Sequence, residues 1–157
     1  MKHVIVLVIG ALLASSPPEP LRAETRFTGE LDGPTVGSDS PATGQAELVL
    51  DDAQAEAAFH ITYGNLVGEE IAAHLHAAPP GSFGPIIFEL PLGTPKDGVW
   101  AVPPQRLPSL LAGEIYVVVH SDSYPAGEIG GWVSADQVAA AATAWSTVRG
   151  LFPAVSP

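Results

Sequence analysis

The sequence predicts an all-β domain, a β-sandwich or Greek-key barrel with a short helix at its C-terminal end. Three observations lead there. Sixteen glycines and sixteen prolines divide the chain into short segments, which favours many turns over long helices. Between these breaks apolar residues alternate with a period of two, the spacing of a half-buried strand. One run places Ile115, Tyr116, Val117, Val118 and Val119 in succession before His120, and β-branched and aromatic side chains of this kind suit a pleated sheet.

The elements follow in order. Residues 1–23 read as an export signal, with Lys2 as the positive start, an apolar run over 4–14, and Ala23 as the small residue before a cut. A run of about eleven apolar residues is too short for a bilayer span, which needs roughly twenty, so no stable transmembrane anchor is expected. The domain is therefore expected to be secreted or periplasmic. It would begin near Glu24 and keep about 134 residues, the length of one domain. A hydrophobic content of 46% and a mean hydropathy of +0.26 support a packed core. The chain has no cysteine, which rules out disulfides, thiolate ligands and lipidation through sulfur, and leaves the core alone to hold the domain.

The first strand is expected over 27–31, stopped by Asp32-Gly33-Pro34. A second covers 46–50 and ends at Asp51-Asp52. A third covers 57–63, with Phe59, Ile61 and Tyr63 on one face and His60 and Thr62 on the other. Strands at 71–77 and 85–90 follow, bounded by glycine and proline. The strand at 115–120 is apolar without interruption, as expected of burial on both faces. Tyr124-Pro125-Ala126-Gly127 reads as the hairpin loop into a last strand at 129–133. From Ser134 the pattern changes. Ser134 and Gln137 form a capping box ahead of Val138, Ala142, Trp145 and Val148, and Gly150 stops the helix. The expected organisation is thus a signal peptide over 1–23, a β domain over 24–133, and a helix with its tail over 134–157.

Charge narrows the range of partners. Without the export segment, four basic side chains face sixteen acidic ones, a net charge of about −12. Arg26, Lys96, Arg106 and Arg149 cannot build the basic face that nucleic acid requires, and anionic membrane surfaces are disfavoured for the same reason. A negative field attracts cations, metal ions among them.

Three histidines carry the chemical argument. His74 and His76 flank Leu75, and on a strand two such residues point to one side about 6.5 to 7 Å apart, close enough to converge on one ion. His120 ends the strongest strand and is the natural third ligand. Imidazole nitrogen suits copper, zinc or nickel, and three of them leave a position open for water. Asp122 and Glu128 follow in the next loop, as ligands or as acceptors that fix an imidazole tautomer. His60 has no repeat of the pattern beside it. Ser82, Ser109 and Ser121 lie outside any nucleophile-elbow sequence, and no helical His-Glu-x-x-His occurs. Asp51-Asp52 and Glu69-Glu70 read as solvated turn charges.

The chain also resembles the CHRD family, named after chordin, over about 27–133. The resemblance rests on Phe27-x-Gly29-x-Leu31-x-Gly33, on Tyr63-x-Asn65-Leu66, on Ala73-His74-Leu75-His76 followed by Gly84-Pro85-Ile86, on the block from Leu111 to His120, and on Pro125-Ala126-Gly127-Glu128-Ile129-Gly130-Gly131. Gly130 stands where the family usually has Arg, and Val118 where Asn is common. The resemblance implies an immunoglobulin-like β-barrel related to copper-zinc superoxide dismutase, in bacterial exported proteins, with no settled general activity. By order and motif His74, His76 and His120 look like three copper ligands of that dismutase. Its bridging histidine and zinc set have no counterpart here. The expected function is binding of one transition metal, copper first and zinc second, with no catalytic residue assigned. The alternatives are a metal-free cell-surface module for structure or for an unknown protein partner, and a dismutase-like redox enzyme.

Overall fold

A computed structural model of the chain describes residues 24–136. The expected export signal and the C-terminal helix lie outside the described residues. Eight strands make one antiparallel sheet that curls into a nearly closed barrel. They are β1 (Thr25–Asp32), β2 (Thr43–Leu50), β3 (Glu56–Gly64), β4 (Glu70–Ala77), β5 (Ile86–Glu89), β6 (Lys96–Ala101), β7 (Ile115–Ser121) and β8 (Ile129–Ala135), with two short helices, α1 (Gly33–Val36) and α2 (Leu107–Leu111). Their spatial order, β5-β4-β7-β8-β1-β2-β3-β6, requires the chain to cross between distant strands at β3–β4 and β6–β7, while the β5–β6 connection joins the two edge strands across the barrel's seam. No helix among the described residues is long and apolar enough to cross a membrane.

Alternation places the core. Phe27 and Leu31 of β1, Ala46, Leu48 and Leu50 of β2, and Ala57, Phe59 and Ile61 of β3 all point inward, as their period of two requires. They meet Leu75, Val117, Val119, Ile129 and Val133 from the other half of the sheet. Asp32 ends β1 and caps α1, its Oδ1 accepting from the Thr35 amide at 2.8 Å, and Gly37 turns the chain away with φ of +80°.

The strand expected at 115–120 is the centre of its half of the sheet, with residues 115–119 all buried. At the chain's end the expectation shifts. β8 runs on to Ala135, so Ser134 pairs with Thr28 and Ala135 with Phe27, and the Asp136 amide donates to the Arg26 carbonyl at 2.9 Å. Ladder bonds to β1 therefore take Ser134 as a strand residue, not as a helix cap.

β6 has no counterpart in the sequence reading, because its inward positions are Lys96, Gly98 and Trp100. A lysine facing a core and a glycine do not look like a strand. The glycine is needed there, since a Cβ on Gly98 would lie 2.5 Å from the ring of Phe59. Lys96 is fully buried and reaches across the open seam between β6 and β4 to Glu70, whose side chain is 8% exposed. The ammonium also donates to the carbonyls of Pro91 at 2.7 Å and Gly93 at 2.9 Å. Glu70 in turn accepts from the Tyr63 hydroxyl at 2.6 Å and the Gly93 amide at 2.5 Å. Glu70 is thus a buried ion-pair partner, contrary to its reading as a solvated turn charge. Burial, followed by the bond to Glu70 and that carboxylate's charge, pushes the Tyr63 phenol well above its ordinary range. Farther along the seam Phe88 of β5 meets Phe59 edge-on at 6.0 Å and Trp100 at 6.4 Å.

Removing one partner of a buried, hydrogen-bonded ion pair leaves a charge without compensation. Glu70→Gln is expected to lower unfolding stability by about 3 to 5 kcal/mol, read from the midpoint of a urea transition at pH 7, while Arg26→Ala, which breaks the exposed pair with Glu47, costs less than about 1 kcal/mol.

Candidate metal centre

Antiparallel pairing of β4 with β7 brings the histidines together. Ala72 lies opposite His120, His74 opposite Val118, and His76 opposite Tyr116. All six residues point to the outer face of the sheet, while Ala73, Leu75, Val117 and Val119 fill the core behind them. His120 sits one diagonal step from His74, and the small side chain of Ala72 leaves it room to lean across. The ring centroids of His74 and His120 are 5.1 Å apart, those of His74 and His76 5.8 Å, and those of His76 and His120 6.5 Å. One ligating nitrogen from each falls within 4.8 Å of the other two.

Hydrogen bonds decide which nitrogens are available. His76 Nδ1 lies 3.0 Å from the Gly84 carbonyl, and His120 Nδ1 lies 3.0 Å from the Pro125 carbonyl. A carbonyl only accepts, so both Nδ1 atoms carry the proton and both Nε2 atoms keep a lone pair. His74 reaches the cluster through Nδ1, which is 3.2 Å from His120 Nε2. The donor set is therefore Nδ1 of His74 with Nε2 of His76 and His120. In the metal-free protein the proton on His74 Nδ1 satisfies His120. His76 Nε2 is buried and has no partner among the described residues, an arrangement that costs about 1 to 3 kcal/mol for a polar atom. Zinc or copper at about 2.0 to 2.1 Å from each imidazole nitrogen sets those nitrogens about 3.4 Å apart. The three nitrogens lie within 4.8 Å of one another, so an ion held by all of them would have to draw them closer together.

Two loops hold the imidazoles, and neither uses the carboxylates expected from the sequence. Asp122 accepts from the Glu69 amide at 3.1 Å and from Ser123 at 3.3 Å. Glu128 is fully buried, its Oε1 accepting from Ser40 at 2.7 Å and the Val67 amide at 2.6 Å. Both side chains brace the loop that carries Pro125 to His120, so they act one step behind the acceptor. Chain geometry explains this: Nδ1 of a strand-end histidine meets the backbone of its own hairpin before any side chain beyond it. Burial alone raises the Glu128 carboxyl, but Ser121, the Val67 amide, Ser40 and the Gly68 amide together hold it below the usual carboxylate range.

Gly84 and Pro125 escaped the sequence reading as functional positions. Every residue has a carbonyl, so an acceptor of this kind leaves no mark on residue type. Gly84 has a steric signature all the same: a Cβ there would lie 2.0 Å from the Ala77 carbonyl oxygen, so only glycine brings this loop onto the end of β4. Tyr116 reinforces the contact, stacking on His76 at 4.9 Å and 22° and accepting from the Gly84 amide at 2.8 Å.

Burial holds His74 and His76 below the ordinary imidazole range. The nearby His120 and His76 lower His74 further, Glu89 opposes the shift, and at His76 the Gly84 carbonyl offsets part of it. His60 lies elsewhere, on β3 between Glu47 and Asp97, exposed and 2.6 Å from the Asp97 carboxylate. It borders an open polar hollow of about 580 Å³ on the outer face of β1, β2, β3 and β8.

The family model described as the CHRD domain matches residues 27–133, from β1 into β8. No curated protein and no solved structure matches the chain.

A histidine whose folded pKa is lowered loses stability for the fold as pH falls through the unfolded value of about 6.5. A carboxylate whose folded pKa is lowered contributes stability above its unfolded value and loses it as pH falls through the folded one. Ring-proton NMR of the metal-free protein is therefore expected to show His74 and His76 titrating below 6.5. Its Tm should decline below about pH 6.5 and again below about pH 4.5, and Glu128→Gln should flatten the lower step.

Proposed function

The chain belongs to the CHRD-domain family, and we propose that it is an exported member that binds one transition-metal ion, copper before zinc, through His74, His76 and His120. One observation supports this most directly: three imidazole nitrogens lie within 4.8 Å of one another while the buried His76 Nε2 has no other partner among the described residues. The ligand chemistry agrees with the metal. Three neutral imidazoles suit a borderline cation, and the absence of cysteine takes away the sulfur that would favour a softer one. Copper stands first because divalent copper binds such nitrogen sets more tightly than zinc.

The protein's own groups orient the ligands. Gly84 and Pro125 hold two rings by their Nδ1 protons, and such outer partners contribute substantially to affinity. His74 gives up its proton-sharing bond with His120 and ligates as the Nε2–H tautomer. Export is the companion proposal and rests on residues 1–23. Turnover is not part of it, because His60 pairs with Asp97 on a different strand and adds nothing to the three-histidine set. A metal-free module has one observation in its favour, the bond between His74 and His120. It leaves His76 Nε2 without a role.

Isothermal titration with Cu(II) and Zn(II) at pH 7.5 is expected to show one site per chain, tighter for copper. The His74→Ala, His76→Ala, His120→Ala triple variant should lose it; unchanged binding in a folded triple variant would defeat the proposal. Gly84→Ala is expected to weaken copper by about 10- to 100-fold, the range seen for outer partners of a ligand. Lowering pH protonates the imidazoles, so affinity falls as pH drops, with half-loss below pH 6.5 for the two ligands whose pKa is lowered.

A further inference from the structure

Beside the histidines lies a hollow that holding an ion does not use. Its volume is about 320 Å³; Val36, Phe83, Tyr116 and Val118 form its walls, and His76 and His120 form one end. The walls come from three separate parts of the chain. Val36 belongs to α1, Phe83 to the loop after β4, and Tyr116 and Val118 to β7.

Two glycines make room for the apolar wall. Gly130 pairs with Val118 on the outer face, and a Cβ there would lie 2.5 Å from Val36 Cγ1. Val36 thus occupies the place of a side chain at 130. At Gly127 a Cβ would lie 2.9 Å from Val118 Cγ1, so the hairpin also needs a glycine to close over this wall. Tyr116 is held rigidly, stacked on His76 and 4.9 Å from Trp132, with its hydroxyl accepting from the Gly84 amide. Phe83 is different. It is 67% exposed and meets Tyr116 at 6.3 Å and 65°, so a large apolar ring stands at the mouth with one face toward water.

The lining includes no lysine or arginine, and the chain carries a formal charge of −11. Apart from the bound ion itself, nothing here pairs with an anion, and the chain's negative charge opposes one. The volume lies near the lower limit of small-molecule sites, about 300 to 1,000 Å³, which fits one or two rings. Aromatic and branched apolar walls with a coordinating group at one end are the chemistry of a ligand with an apolar body and a single donor atom.

The geometry points to a binding pocket for a small neutral aromatic molecule bearing one nitrogen or oxygen donor. The donor completes the coordination of the ion, and the ring lies between Phe83, Tyr116 and Val118. This inference rests on the metal-binding reading above and adds the class of molecule that the open position accepts.

The test uses the copper-loaded chain titrated with 4-phenylimidazole, imidazole and azide. Shifts of the copper visible band give affinities, and nitrogen hyperfine lines in the EPR spectrum report coordination. 4-Phenylimidazole is expected to bind about tenfold or more tightly than imidazole, because its second ring leaves water for the apolar walls, and azide, which gains nothing from those walls, to bind more weakly than 4-phenylimidazole. Phe83→Ala removes an exposed ring that is no copper ligand, so copper uptake should stay unchanged while the preference for 4-phenylimidazole over imidazole falls severalfold. Val118→Asn, which places an amide in the wall, should do the same. A chain that takes up no copper overturns the metal reading and this inference together. Copper uptake with equal affinity for the two azoles, with azide binding tightest, or with a preference that Phe83→Ala and Val118→Asn leave intact, overturns the pocket assignment alone.

Discussion

The register between β4 and β7 is the constraint on which both the core and the candidate site depend. Pairing His74 with Val118 and His76 with Tyr116 turns Leu75, Val117 and Val119 inward and all three histidines outward. A slip of one residue would reverse every side chain on the strand, exposing the leucine and burying the imidazoles. Burial of the apolar set therefore specifies the register, and the convergence of the histidines follows from it. The core and the histidine cluster are two faces of one pairing.

Barrel closure is handled separately, where backbone pairing ends. Between the two edge strands the ladder stops, and the contacts across the gap come from side chains: the Lys96–Glu70 pair with its Tyr63 and Gly93 bonds, and the Phe59, Phe88 and Trp100 rings. Both sets point inward, away from the histidine face. A buried ion pair contributes little net stability against an apolar replacement of the same shape, yet losing one partner is severe. Its geometry also holds the 90–95 loop and β6 against β4.

On the outer face the loops supply what the strands cannot. A strand presents an imidazole but does not choose its tautomer. That choice comes from the Gly84 and Pro125 carbonyls, and each loop has its own anchor. Gly84 lies against Ala77 at a distance only glycine allows. The hairpin with Pro125 is braced by the buried carboxylate of Glu128 and by Asp122. The same loops and α1 raise the walls beside His76 and His120, so orienting the ligands and shaping their surroundings are achieved by one set of contacts. The burial that results also keeps His74 and His76 neutral further into acid, which suits ligation.

Residue type and spacing determined a great deal by themselves. Period-two alternation, one unbroken apolar run and glycine and proline boundaries together located seven of the eight strands, because each of those presents an apolar set to one interior. His-x-His on a strand and a histidine ending the strongest strand already singled out the three histidines that cluster, since the period of two places the first pair on one side whatever the rest of the chain does. Only the tertiary structure decided the remainder. β6 was hidden because its inward lysine is neutralised by a glutamate 26 positions away in sequence, a pairing that no local pattern records. Glu128 and Asp122 were legible as carboxylates near His120 but not as loop braces, because their partners lie in segments around 40 and 67–69. The tautomers and the walled hollow depend on backbone carbonyls, on glycines that permit close approach, and on side chains from α1 and β7. Those are distances between parts far apart along the chain, and they come into being only when the sheet closes.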